Sequence, residues 1–113
     1  MTTPRLKTAL QKAMDLRTGL TDTQRELAQV EKQLKAITDD QVRLRANLEK
    51  MPQTSAAYKR YLEKFDNQET VIEKLQSQIQ ELQTRAATQR QECETYLSGL
   101  DLEATIRQRA KEE

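Results

Sequence analysis

The sequence predicts an all-α fold, an antiparallel two-helix coiled-coil hairpin, and three observations lead to it. Only two Gly and two Pro occur in 113 residues, too few for the many turns of a sheet or βα fold. Only 35% of the residues are hydrophobic, against roughly 45–50% (Gly included) in an ordinary globular domain. The apolar residues nevertheless recur every seven residues in two long runs, which is typical of coiled coils and not of disordered chains.

The first run predicts a helix over about residues 4–50. Thr3 followed by Pro4 is typical of an N-cap and a first helical residue. Twelve of the fourteen a and d positions of the heptads are apolar, where the composition alone would give about five. The a positions are Leu6, Ala13, Leu20, Leu27, Leu34, Gln41 and Leu48, and the d positions are Ala9, Leu16, Thr23, Val30, Ile37, Leu44 and Met51.

A turn is predicted over about 51–55 because Pro52 cannot continue the first helix. The connection is short, so the two helices must lie side by side and antiparallel. Either Thr54 or Ser55 can cap the second helix.

The second helix is predicted over about 56–98, with Gly99 as the residue just past its C-terminus. Beyond it, residues 101–113 are expected to form a short third helix capped by Asp101, or a tail. The a positions of the second run are Tyr58, Phe65, Ile72, Ile79, Ala86, Cys93 and Leu100, and the d positions are Tyr61, Gln68, Leu75, Leu82, Gln89 and Tyr96.

The two runs fit one antiparallel register. Each a position falls opposite a d position when the two residue numbers add to 109, as for Leu44 with Phe65 and Leu27 with Leu82. The midpoint of this register falls between Thr54 and Ser55, inside the turn that Pro52 predicts independently. All 113 residues are therefore expected to form a single hairpin.

The same register places Gln41 opposite Gln68. Their side-chain amides could bond each other, which would satisfy two polar groups in the seam and fix its register. The alternative is that both side chains reach the solvent at the edges of a thin two-helix structure.

Composition also bears on function. There are 19 basic and 18 acidic residues, so the chain has no strong general attraction for nucleic acid. It has no His, one Cys and no Gly-rich phosphate loop, so we expect no enzyme activity, no metal, no cofactor and no small-molecule substrate. Cys93 is expected to be a small seam residue. We expect no signal peptide and no membrane span, and the sequence leaves the compartment open.

Basic residues concentrate around the predicted turn. Between residues 41 and 64 only Glu49 and Glu63 oppose six basic side chains. With three nearby aromatic residues, this predicts as an alternative function a helical arm that binds nucleic acid, similar in shape to the arm of seryl-tRNA synthetase. The aromatics lie at a and d positions, however, which favours burial over stacking on bases. The basic tip is Arg43, Arg45, Lys50, Lys59, Arg60 and Lys64.

Apolar residues extend beyond the a and d positions near the two chain ends. This widening predicts a contact for a protein partner or for a second copy of the chain, or for the short third helix folded back. The residues of this predicted patch are Leu10, Met14, Leu97, Leu102 and Ile106.

Four segments, at 45–48, 58–61, 65–75 and 96–100, resemble the C-terminal coiled-coil region of bacterial mucoidy-inhibitor-A-like proteins of unknown function. The resemblance covers about residues 27–102. It implies that the chain is a fragment or short relative of a larger protein with a β-rich region, and it brings no catalytic residues with it. The segments read Arg45-Ala46-Asn47-Leu48, Tyr58-Lys59-Arg60-Tyr61, Phe65-Asp66-Asn67-Gln68-Glu69 with Ile72-Glu73-Lys74-Leu75, and Tyr96-Leu97-Ser98-Gly99-Leu100.

Overall fold

A computed structural model of the protein describes residues 3–112, which form two α-helices, α1 (Pro4–Lys50) and α2 (Ala56–Glu112). They form the predicted all-α antiparallel hairpin, with a turn over residues 51–55. The contacts divide the hairpin into two compact units. The tip unit is Glu26–Leu82, which includes the turn, and the terminal unit is residues 3–25 with 83–112.

Side-chain caps begin both helices. The Thr3 hydroxyl oxygen accepts a hydrogen bond from the Leu6 N–H at 3.1 Å. At the start of α2, the Ser55 hydroxyl accepts from the Tyr58 N–H at 3.1 Å and donates to the Pro52 carbonyl at 2.7 Å. The first N–H groups of a helix have no partner within it, so these bonds satisfy donors that would otherwise need water. Ser55 is therefore the cap of α2.

The tip unit is held together by an apolar seam between its two helices. Leu44 is fully buried, and Val30, Leu75 and Leu82 form a buried cluster. These four residues all lie at predicted a or d positions. The partly buried residues packed against the cluster are Leu27, Leu34, Ile37 and Ile79.

In the terminal unit the buried seam residues are small, whereas larger ones such as Leu16 and Leu20 are only half-buried. Thr23 and Ala86 are buried, and the Thr23 hydroxyl donates to the Gly19 carbonyl at 3.1 Å. A Cβ on Gly19 would lie 3.6 Å from the amide nitrogen of Gln89, which is an ordinary van der Waals contact, so the position has room for alanine.

Ionic and aromatic contacts in the terminal unit follow the antiparallel register. The Arg5 guanidinium lies 3.1 Å from a carboxylate oxygen of Glu103, and the Lys12 ammonium lies 4.9 Å from the ring centroid of Tyr96. Both pairs of residue numbers add to 108, one less than the predicted 109. In each pair an exposed residue that precedes an a position of α1 contacts a half-buried residue of α2 on the d series, which gives the offset of one.

The predicted end of the second helix at Gly99 is wrong. The φ of Gly99 is not positive, and α2 continues to Glu112, so residues 101–112 are neither a separate helix nor a tail. A glycine inside a helix costs only about 0.5–1 kcal/mol. Glu103 offsets part of this cost by pairing with Arg107 at 2.8 Å and with Arg5 on α1.

Leu44→Ala is expected to destabilise the hairpin by about 2–3 kcal/mol. This is the lower part of the range for a buried leucine, because a two-helix seam can partly close around the lost volume. Urea unfolding followed by circular dichroism at 222 nm measures the change. Val42→Ala, at a position that is 66% exposed, is the matched control and should stay within about 0.5 kcal/mol of the parent. Equal losses in the two variants would contradict the seam.

Gly99→Ala is expected to stabilise the protein by about 0.5–1 kcal/mol, because alanine is the better helix former and nothing lies within 4 Å of its new methyl group. The same unfolding experiment, at low micromolar protein, measures it. Gly19→Ala, in α1, is the reference for a glycine inside a continuous helix. A loss of stability in Gly99→Ala alone would mean that α2 does end there.

Candidate functional site

Two glutamines cross the seam of the tip unit as predicted, but their partners differ from the prediction. Gln41 is buried, and its amide donates to a carboxylate oxygen of Glu69 at 2.9 Å. The Gln68 amide donates to Asp40 Oδ2 at 2.6 Å. The prediction of a hydrogen bond between the two amides is therefore wrong. A carboxylate is the stronger acceptor, and each one lies next to the predicted position on the facing helix.

Asp40 is the centre of this polar cluster. The Arg43 Nε donates to its other oxygen, Oδ1, at 2.9 Å. Hydrogen bonds from Arg43 and then from Gln68 lower the pKa of the Asp40 carboxyl, and the charge of Lys64 adds to the effect. Asp40 in turn raises the pKa of Arg43, with a smaller contribution from Tyr61. A carboxylate held in its ionised form is a poor proton acceptor, so the cluster is better suited to holding the helices in register than to acid–base chemistry.

One polar atom of the cluster has no partner. The Gln68 Oε1 is buried without a hydrogen bond, although the amide nitrogen of the same side chain is bonded to Asp40. The sequence pattern identified the two glutamines and missed Asp40 and Glu69. Their positions did carry a signal, since 40 with 68 adds to 108 and 41 with 69 adds to 110.

The basic tip lies within the tip unit, and its side chains are exposed. Two of them contact their own chain: Arg43 pairs with Asp40, and the Arg45 guanidinium carbon lies 5.8 Å from the ring centroid of Phe65. Phe65, Tyr58 and Tyr61 are half-buried. The aromatic residues are therefore partly covered by the hairpin itself.

In the terminal unit, part of the predicted apolar patch lines an open groove between α1 and α2. Leu10 and Leu97 are 50% and 52% exposed and face each other across it, with Leu6 and Leu100 beside them. Leu6 is a predicted seam residue but is 49% exposed, because it lies in the first turns of α1. The groove has a volume of about 880 Å³ and a rim with both charge signs. The charged rim residues are Arg5, Asp101, Glu103 and Arg107.

Met14 does not line this groove itself but continues its row of apolar residues along α1. It is 62% exposed and follows Leu6 and Leu10 at intervals of four residues, which places the three side chains in one row. We call Leu6, Leu10, Met14 and Leu97 the terminal groove.

Leu102 and Ile106 do not belong to the terminal groove, so the prediction of one patch is wrong. Successive residues of an α-helix are rotated by about 100°. Because α2 is continuous through Gly99, Leu102 lies about 140° and Ile106 about 180° around the helix from Leu97. The predicted patch is therefore two apolar surfaces on opposite sides of α2.

Cys93, which the sequence predicts as a small seam residue, is a half-buried free thiol. Within residues 3–112, no three acidic or Cys side chains converge as a metal site would require. Neither α1 nor α2, over the part that the structure describes, contains a segment apolar enough to cross a membrane.

Comparison with protein-family models, curated proteins and solved structures finds no match to this chain. The resemblance to mucoidy-inhibitor-A-like proteins therefore stays a prediction.

Asp40→Asn is expected to lower stability at neutral pH and to lose that effect in acid. Because folding lowers the pKa of Asp40, its ionised form stabilises the fold fully above the usual aspartate pKa of about 4, and this contribution is lost as the pH falls through the lowered value. Urea midpoints from pH 7 to pH 2 measure it. The single amide oxygen of Asn can accept from Gln68 or from Arg43 but not from both, so the part of the loss that depends on pH is the part that reports the charge.

Asp66→Asn is the control for this experiment, since it removes an exposed carboxylate from the same unit. Two results would contradict the assignment to the Asp40 charge. One is a difference in urea midpoint between the Asp40→Asn variant and the parent that stays constant at every pH. The other is an equal change in the Asp66→Asn variant.

Proposed function

We propose that the chain is a non-enzymatic structural and protein-interaction module, a coiled-coil hairpin that presents an apolar groove to a protein partner. The observation that carries the proposal is the terminal groove, in which four large apolar side chains are each about half exposed or more. Covering such side chains with a partner would stabilise the complex by roughly 25 cal/mol for every Å² of apolar surface removed from water. A contiguous exposed apolar surface with a polar rim is typical of interaction sites.

The form of the groove supports a helical partner. Its α1 side is a row of residues at intervals of four, its other side is Leu97 on α2, and charged residues of both signs stand at its rim. Grooves of this kind bind the apolar face of an amphipathic helix. The rim charges would then set the orientation of the bound helix more than its affinity.

The seam supports the coiled-coil part of the proposal. The buried residues of the described chain all lie at predicted a or d positions, which is the pattern of a narrow two-helix contact. They are Thr23, Val30, Gln41, Leu44, Ile72, Leu75, Leu82 and Ala86. The resemblance to mucoidy-inhibitor-A-like proteins further supports a place within a larger bacterial protein.

Site-specific photocrosslinking tests the proposal. With p-benzoylphenylalanine at Leu10 or Leu97, irradiation of cells that make the protein should yield a discrete protein adduct, identified by mass spectrometry of the purified product. The control position is Gln76, which is exposed on α2 in the tip unit and should give no such adduct.

The same experiment addresses the alternative function. Additional positions at Lys59 and Lys64 in the basic tip should give no nucleic-acid adduct. Nucleic acid crosslinked at the tip, with no protein adduct at Leu10 or Leu97 above the level at Gln76, would overturn the proposal in favour of a nucleic-acid-binding arm.

A further inference from the structure

A second row of residues runs along the side of α2 that carries Leu102 and Ile106. Its members follow one another at alternating intervals of three and four, the spacing of a helix face that contacts one other helix. Every member is exposed, Leu102 to 63% and Ile106 to 59%. The row lies within the terminal unit and on the side of α2 away from Leu97. We call it the outer row, and it consists of Glu92, Thr95, Gly99, Leu102, Ile106 and Arg109.

The outer row of one copy is complementary to the outer row of a second copy that runs in the opposite direction. If two copies of α2 lie antiparallel about a point between Leu100 and Asp101, facing residue numbers add to 201. Glu92 then faces Arg109 of the other copy, and the contact is repeated by the two-fold symmetry. Thr95 would face Ile106, and Gly99 would face Leu102, so a small residue stands opposite a large one in each apolar layer.

Contacts within the hairpin account for little of this row: the Thr95 hydroxyl accepts a long hydrogen bond from the Gln91 amide at 3.5 Å, and Glu92 and Thr95 line a shallow hollow next to α1. No atom lies within 4 Å of a Cβ built on Gly99, so its missing side chain makes room for nothing in the hairpin itself. Arg109 and Glu92 form no ion pair with the described residues, whereas the neighbouring Glu103 has two arginine partners. A second helix against this face would use the space at Gly99 and give both charges a partner.

We propose that the outer row binds a second copy of this chain, forming a two-fold symmetric antiparallel dimer through α2. The proposal extends the proposed function, because it assigns a second contact surface, on the opposite side of α2 from the terminal groove. The row spans 18 residues, or about 27 Å of helix. Contacts of this size are small compared with those of permanent dimers, so the dimer dissociates in a concentration-dependent way.

Sedimentation equilibrium of the full chain, from micromolar to millimolar protein in low salt, tests the proposal. The parent should show a monomer–dimer equilibrium. Leu102→Glu, which places a charge in the central layers, should abolish the dimer. Leu10→Glu, a matched change in the terminal groove, should leave the dissociation constant unchanged.

A charge exchange tests the register. Glu92→Arg and Arg109→Glu should each raise the dissociation constant about tenfold, because each turns two attractive pairs into two repulsive ones. The double variant restores opposite charges and should return to within about threefold of the parent. Circular dichroism should give equal helix content for all variants, which separates association from folding.

A strictly monomeric parent, or a double variant as weak as the singles, would overturn the outer-row dimer. Neither result touches the photocrosslinks at Leu10 and Leu97, on which the proposed function depends. If Leu10→Glu abolished association and Leu102→Glu did not, the second copy would occupy the terminal groove instead, and the outer-row assignment would be wrong.

Discussion

The apolar seam between α1 and α2 is the contact on which the rest of the structure depends. Two helices bury only a narrow stripe of each other, about two residues in seven. The seam therefore has little redundancy: one fully buried leucine, Leu44, and a small cluster around Val30 form its apolar centre in the tip unit. Most side chains outside the seam face solvent, and this explains how a chain with 33% charged residues can fold without an ordinary globular core.

Such a narrow seam also determines how polar residues enter it. Gln41 and Gln68 are near enough to the edges for their amides to reach carboxylates on the facing helix, at 2.9 and 2.6 Å. In a wider core these amides would need each other or a buried water. Here one of the two acceptors, Asp40, is itself held by the solvent-facing Arg43, so the cost of burying the Gln68 amide is partly offset at the surface.

Helix continuity has the largest consequence for function. The uninterrupted α2 fixes the rotation of every residue after Gly99 relative to those before it. Leu97 and Ile106 consequently lie on opposite sides, and the terminal unit has two apolar surfaces. The terminal groove lies between the helices and suits a helical partner. The outer row is a face of α2 alone, and it is complementary to the same face of an antiparallel second copy. With the proposed partner in the terminal groove and a second copy on the outer row, the chain would join other molecules, which fits the proposed structural role better than a role as a simple spacer.

The sequence by itself determined the two helices, the turn at Pro52, the antiparallel pairing and the residues of the seam, because heptad spacing and caps are local signals that one contact between helices reinforces. It also identified Leu10 and Leu97 as exposed apolar residues. Only the tertiary structure decided the partners of Gln41 and Gln68 and the separation of Leu102 from Leu97. Partner choice depends on side chains one position away across the seam, and the path of α2 at Gly99 depends on whether contacts such as Arg5 with Glu103 outweigh a weak local preference to end the helix. Energies that small are settled by packing, and no local pattern encodes them.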